Sequence, residues 1–577
     1  MQSPLDSSSV SIQSAGSIVD DAWEELRRSP YVQQKLGVTP TRLPNVSFSE
    51  AERHTELGRS LLQRLDALDM AVLPHDLALA LRLVRFRALA WSREAEWYWI
   101  VADPIGIGLF GLFLPTAYCG GWLLGMVHGL LAAVSFAVRG DCDQYLALVA
   151  DYVRLVGQFA ERTTEQARRG VLMPAPQVKQ AQEILSVFKS QAFNNLRVPP
   201  QRLASVAYAP EFSRELDRYI GDKVVPAFDH ALDCLNTDYM ANAPAEVGIG
   251  QYPKGAEIYA ELVKLHTTLD LSPEEVSIRG RERMEQIHES MAAIRAEVGF
   301  RGGAGGFLEH LRRDARWRAN TTEGIASVFQ RYMDRLKPCF SEYFPEPPQA
   351  GYGVAPLPEA LESSMTYGYY DPSRPDRSQG LYRFNSKNLK EQTLIHLGAL
   401  IYHELMPGHH LQFALQQENS ALHPFQRYSS VNACNEAWAE YAASFAGEIG
   451  LYQSPEERYG RLIMDAFLTS RLVVDTGMNV FGWSLERARE YMRDNSGMAE
   501  AEIASETLRY SSDIPAQALA YKLGDTQIYQ LRERMQSVLG ARFSLKKFHT
   551  AVVCAGSLPL PDLAWHLEHE FNRTRVP

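Results

Sequence analysis

The chain has 577 residues, 46% hydrophobic and 22% charged. This is ordinary for a soluble globular protein with one large core or two to three domains. A net charge of −11 with no Lys/Arg run argues against a nucleic-acid surface. Cys119, Cys142, Cys234, Cys339, Cys434 and Cys554 form no CxxC pair, which reads as the buried, reduced thiols of a cytoplasmic protein.

In chain order, residues 1–20 are predicted to be a disordered tail. Met1–Ser17 is Ser-rich and lacks the basic and apolar regions of a signal peptide. Residues 21–577 are expected to form a single helical unit, with 21–245 as one wall and 246–577 carrying the site. Ser49 with Glu52 suggests a capping box ahead of Leu57, Leu61, Leu62 and Leu65. The stretch Pro104–Val138 has no Asp, Glu, Lys or Arg and is long enough to span a bilayer. Its seven glycines and Pro115 argue instead for buried structure along a cleft. Phe110, Phe113, Tyr118 and Trp122 would be its apolar wall, and no membrane span is expected.

Further on, Ser272-Pro273-Glu274-Glu275 is a full helix start signal. The stripe Met284, Ile287, Met291, Ile294 and Val298 follows it, and Arg301–Gly306 ends the helix. Tyr343–Pro358 reads as a Pro/Gly-rich loop. Met365–Tyr370 and Leu381–Asn385 are β-prone and flank a turn at Asp371–Gly380, which predicts a hairpin. Its edge would suit an extended substrate, with Tyr369 and Tyr382 as candidate substrate contacts.

The most informative run is His403-Glu404-Leu405-Met406-Pro407-Gly408-His409-His410. A His-Glu pair with a second His one turn later places two imidazoles on one helix face for a metal, with the Glu as general base. Here Pro407 occupies the i+4 position. It cannot donate to the carbonyl four residues back, and Gly408 adds freedom, so a widened or kinked turn is expected. A turn taking in two extra residues brings His409 to the metal, with His410 in reserve. Glu436, in the helix-forming run Asn435–Ala442, is the candidate third ligand. A solvated face shared with Glu440 is the alternative, and Cys434 is read as core.

Taken together, His403–Gln412, Glu436–Ala442 (EAWAEYA), Asp475-Thr476-Gly477, Arg509-Tyr510, Pro515-Ala516-Gln517 and Tyr521–Gly524 resemble the DUF885 family. These are bacterial proteins of uncharacterised function grouped with gluzincin-type metallopeptidases. The resemblance implies a mainly α, elongated metallopeptidase-like fold with a small antiparallel β-sheet beside a deep central cleft. It assigns His403, His409 and Glu436 to one Zn2+ per chain and Glu404 to the general base. Tyr510 and Tyr521 become candidates to stabilise an oxyanion, with core packing as the alternative, and Arg509 to hold a substrate carboxylate, with a structural salt bridge as the alternative. The chain departs from the family pattern at Ala437, Ala443, Asn479 and Ala516, where Gly, Glu, His and Gly are commoner.

The expected activity is zinc-dependent hydrolysis of an amide bond in a peptide or small peptide-like substrate. A metal enzyme tailored to a small metabolite and a catalytically silent scaffold are the alternatives. A second metal using His410 or Glu440, and the oligomeric state, stay open.

Overall fold

The structure is a computed structural model that describes residues 7–573 except 105, 320, 359–361, 363–366 and 388–392. It is mainly helical, with a single three-stranded sheet among the described residues.

From Ser7 on, the expected tail is helical, and residues 1–6 lie outside the described residues. Ser7–Leu26 buries Ala15, Ile18, Val19, Ala22 and Leu26, a helical stripe hidden within a Ser-rich composition. After a short helix at Pro30–Lys35, the helix expected from Ser49 starts two residues earlier. Ser47 caps Phe48–Asp66 by accepting from the Glu50 N–H at 3.3 Å, while Ser49 only contacts the Ser47 hydroxyl.

The Ser272 signal is realised in full. Its hydroxyl accepts from Glu275 N–H at 3.2 Å, and the Glu275 carboxylate accepts from Ser272 N–H at 2.8 Å. The resulting Pro273–Glu297 helix buries Met284, Ile287, Met291 and Ile294, whereas Val298 lies past its end and is exposed.

Within Pro104–Val138, a π-turn at Ala117–Gly121 leads into the helix Trp122–Ala132. A Cβ on Gly120 would lie 2.3 Å from the Leu114 carbonyl oxygen, so only glycine fits that turn. Among the described residues no helix is long and apolar enough to cross a membrane.

The sheet corrects the expected antiparallel arrangement. Strands β1 (Gly351–Pro356), β2 (Gly368–Asp371) and β3 (Gln379–Phe384) lie in the order β1-β3-β2. The predicted hairpin is present as β2–β3, antiparallel with Tyr370 opposite Tyr382. Strand β1 runs parallel to β3, with Val354 opposite Tyr382, so the sheet is mixed. Composition predicts a loop for the β1 residues, because Gly351, Gly353 and Pro356 dominate them, and the strand forms through its pairing with β3. Of the hairpin's expected first strand, Met365 and Thr366 lie outside the described residues.

Two large apolar cores hold the fold. One joins the N-terminal helices, through Leu61, Leu81 and Trp91, to Ile401, Trp438 and Leu563. The other is built from residues 43–276 but also takes Leu472, Ala516, Leu519 and Leu523. The helix Pro455–Asn479 gives Phe467 and Val474 to the first core and Leu472 to the second.

Candidate metal centre

Pro407 ends the helix rather than widening it. Leu397–Glu404 is helical and wholly buried, and Leu405 leaves helical geometry at φ −102°, ψ −115°. A new helix, His409–Glu418, begins after Gly408. A Cβ on Gly408 would lie 1.9 Å from the His403 carbonyl oxygen and 2.5 Å from that of Tyr402. No other residue lets the chain pass so close. Trp438 pins the break from the next helix, Asn432–Glu448, by donating its indole N–H to the Pro407 carbonyl at 2.9 Å.

The break brings the two histidines together, with ring centroids 4.7 Å apart and ring planes at 84°. Glu436 projects from the Asn432–Glu448 helix. Its Oε2 lies 3.4 Å from His403 Nε2 and 3.5 Å from His409 Nε2. One donor atom from each of His403, His409 and Glu436 falls within 4.8 Å of the others.

These residues fit a metal ion on two counts. Ligand atoms about 2.1 Å from one tetrahedral ion lie about 3.4 Å apart, the spacing of both Glu436 contacts. Glu436 Oε2 is also buried without a hydrogen-bond partner, as a carboxylate is when a cation completes its surroundings. Burial pushes the Glu436 carboxyl up, but His403 and His409 outweigh it and hold it well below the usual range. Burial likewise pushes the His403 imidazole down, yet Glu436 and Glu440 lift it to about 10. The field that holds a proton there holds a cation equally well.

Glu404 follows His403 directly and is 7% exposed, with Oε2 lacking a partner. Burial raises its pKa, the direction that favours taking up a proton.

Behind His403, Glu440 Oε2 sits 3.5 Å from Nδ1. Glu440 is held in turn by Arg461 at 2.5 Å and Lys522 at 3.3 Å. Lys522 also meets Asp465 at 2.8 Å and Asp525 at 2.6 Å. A carboxylate on the far nitrogen of a ligating histidine fixes its tautomer and orientation. Glu440 is placed for that arrangement, between His403 and the Arg461 and Lys522 cations.

His410 points away from the ligand set. Its Nδ1 bonds the Tyr370 hydroxyl at 2.8 Å and its Nε2 the Ala350 carbonyl at 3.1 Å, which ties the sheet to the ligand segment. Cys434 is fully buried, and Gln412 donates to its Sγ at 3.7 Å.

A cavity of about 300 Å³ opens onto His403, Glu404, His409 and Glu436. Tyr369 lines it from β2, an edge strand of the sheet. Tyr118 and Trp122 line it from the charge-free segment, whereas Phe110 and Phe113 turn into the core against Trp97 and Tyr252. Tyr521 also lines the cavity, its ring stacked on His403 at 6.0 Å and 14°. Arg509 lies over the Tyr118 ring at 4.6 Å and donates to Gln517 at 2.6 Å.

Two expected site residues fall elsewhere. Tyr382 is fully buried against Phe329 and donates to the Tyr367 carbonyl at 2.8 Å. Tyr510 is fully buried, accepts from Arg471 Nε at 2.7 Å and donates to Glu506. Sequence reasoning missed Arg471 and Glu506, which both line the cavity. Their spacing was a usable signal, since Arg471 is four residues before Asp475 and Glu506 four before Tyr510.

The departures from the family pattern are accommodated locally. Asn479 is buried outside the cavity, accepting from Ile249 N–H at 2.9 Å and donating to the Tyr510 carbonyl at 2.9 Å. Ala437 packs against Gly524, where a Cβ would come within 2.6 Å of its own. The Ala443 carbonyl accepts from the Tyr452 hydroxyl at 2.7 Å. Ala516 adopts φ +66°, a left-handed conformation that glycine takes without strain.

The family "Bacterial protein of unknown function (DUF885)" matches residues 30–567, and the chain belongs to it. The fold is similar to that of a "putative lipoprotein" from Colwellia psychrerythraea, with a TM-score of 0.84 and 23% identity, covering 98% of this chain and 99% of that one. It is also similar to a "putative lipoprotein of unknown function" from Shewanella oneidensis, with a TM-score of 0.68 and 16% identity, covering 96% and 99%. At these identities the likeness concerns the fold alone. No curated protein matches.

Proposed function

Taking DUF885 membership as the premise, we propose that this protein is a zinc-dependent hydrolase of amide bonds in small peptide-like substrates. The observation that carries this reading is the Glu436 oxygen, buried and unpartnered at 3.4 and 3.5 Å from two imidazole nitrogens, with Glu404 alongside. His403, His409 and Glu436 would hold the ion. When bound, zinc polarises a substrate carbonyl and makes water more acidic.

The protein's own groups do the rest. Glu404 Oε2 accepts a proton from the attacking water and passes it to the leaving nitrogen. Glu440 keeps His403 in the tautomer with Nε2 facing the cavity. Burial raises the Tyr521 phenol, so it stays protonated and can donate to a developing oxyanion. The buried walls exclude bulk water, which strengthens each of these contacts.

Replacing Glu404 with Gln tests the assignment. The variant should keep about one zinc per chain, read by elemental mass spectrometry, and lose roughly 10³-fold or more in turnover of any amide found by screening. Undiminished turnover would remove Glu404 from the chemistry.

The cavity, about 300 Å³, is at the small end of ligand sites, and this favours a compact substrate. It also supports the second reading, a metal enzyme tailored to a small metabolite. Iron or manganese in the purified protein would favour that reading, and failure to bind any divalent metal would favour the scaffold. We place the protein in the cytoplasm, on the strength of its six unpaired cysteines.

A further inference from the structure

We propose that Arg471 and Arg509 form a carboxylate-binding subsite in the same cavity, so that the substrate is an amide whose leaving portion ends in a free carboxylate. This rests on the hydrolase reading above and adds the substrate class and the position of cleavage.

The two guanidiniums are 4% and 7% exposed, and both line the cavity. Each retains a buried donor without a hydrogen-bond partner, Arg471 Nη1 and Arg509 Nε. The remaining donors hold the groups in place. Arg471 is bonded to the Tyr510 hydroxyl and to Glu506 Oε2, and Arg509 to Gln517. Glu506 is the carboxylate within ion-pair distance of either arginine among the described residues, at 3.0 and 3.6 Å. Two fixed positive charges therefore share one negative partner in a site shielded from water. Leaving buried donors and a cation uncompensated is costly, and a carboxylate supplies both the charge and the acceptors.

The pair also lies at a useful distance from the ligand set. The Tyr521 ring is 4.8 Å from the Arg471 guanidinium carbon and 6.0 Å from the His403 ring centroid. The two are therefore no more than about 11 Å apart, which extended chain covers in roughly three residues. A carboxylate held by the arginines thus sets the scissile amide one or two residues from the chain end. Tyr118, Trp122, Ile107 and Leu109 offer apolar contacts for the intervening side chain. Hydrolysis then breaks the C–N bond. Water's oxygen joins the acyl carbon, its protons end on the new carboxyl and amino groups, and an amino acid or dipeptide departs.

The subsite is read by binding, apart from turnover. Calorimetry on the Glu404→Gln protein, as purified and after chelation, would use N-acetyl-phenylalanine, N-acetyl-dileucine and the carboxamide of each. The expected result is carboxylate binding at least tenfold tighter than the amide, in both metal states. In Arg509→Gln the preference should fall to about threefold or less, with zinc content unchanged. The preferred probe distinguishes an N-acyl amino acid substrate from a peptide one. Equal binding of acid and amide, or binding of neither, overturns the subsite. A carboxylate preference in protein that never takes up metal keeps the subsite and sinks the hydrolase reading instead. Should Arg509→Gln fail to fold, the acid–amide comparison on the unsubstituted arginines decides alone.

Discussion

At the scale of single residues, the two adjacent histidines have different duties. His409 Nε2 faces Glu436, while both nitrogens of His410 are engaged by Tyr370 and Ala350. His409→Ala should therefore lose stoichiometric zinc. His410→Gln should keep it and instead cost about 1–3 kcal/mol, by stranding a buried hydroxyl and carbonyl. Elemental analysis and urea unfolding of both variants check this, and zinc loss in His410→Gln alone would reverse the assignment. The His-Glu pair and the preference for His409 were legible because few residue types bind metals. The path between them was not, since it depends on Gly408, where an added Cβ would lie 1.9 Å from the His403 carbonyl oxygen, a contact set by tertiary structure. Tyr510 illustrates the opposite failure. Its place in the motif suggested catalysis, yet its hydroxyl is occupied by Arg471 and Glu506.

At the scale of elements, the ligand helix is steadied by charges from its neighbours. Glu440 on Asn432–Glu448, Arg461 and Asp465 on Pro455–Asn479, and Lys522 on Ala520–Leu539 meet behind His403. Glu440→Gln should preserve packing and weaken zinc binding about 10–100-fold, measured by competition with a chromophoric chelator. Unchanged affinity would make the network purely structural. Such a network joins residues more than eighty positions apart, so local spacing cannot reveal it.

A second cluster docks the first helix. His54 contacts Glu25 at 3.3 Å and Glu94 at 2.8 Å. Burial pushes its pKa down, but those carboxylates lift it to about 10. A raised folded pKa contributes stability that is complete below pH 6.5 and is lost as pH rises through about 10. The loss should be on the order of 3–5 kcal/mol in the intact protein, and His54→Gln should flatten that limb of the stability profile. Equal alkaline slopes in the two proteins would show that His54 is not charged at neutral pH. In the helix it docks, serines surround the apolar stripe, so composition suggests a tail where periodicity reports a helix.

Across the whole molecule, the helices of the metal half also build the wall of the amino-terminal half. Leu472, Ala516, Leu519 and Leu523 pack with residues 43–276, while Phe467, Val474 and Ile528 belong to the other core. A division near residue 245 therefore crosses shared packing, and the cores should unfold together. Cooperative unfolding sets the size of the metal's effect. At a thousandfold excess over its Kd, a ligand that binds only the folded state adds about 4 kcal/mol. Unfolding a chain of 577 residues as one unit releases about 1.2 kcal/mol/K of entropy. Zinc should accordingly raise a single calorimetric transition by only about 3 °C, with no shift in His403→Ala. Two separated transitions, with only the later-melting one moved and by a larger amount, would mean that the metal half unfolds on its own. In that case the arginine subsite and the ligand set, both built mainly on residues after 400, would share one independently stable body.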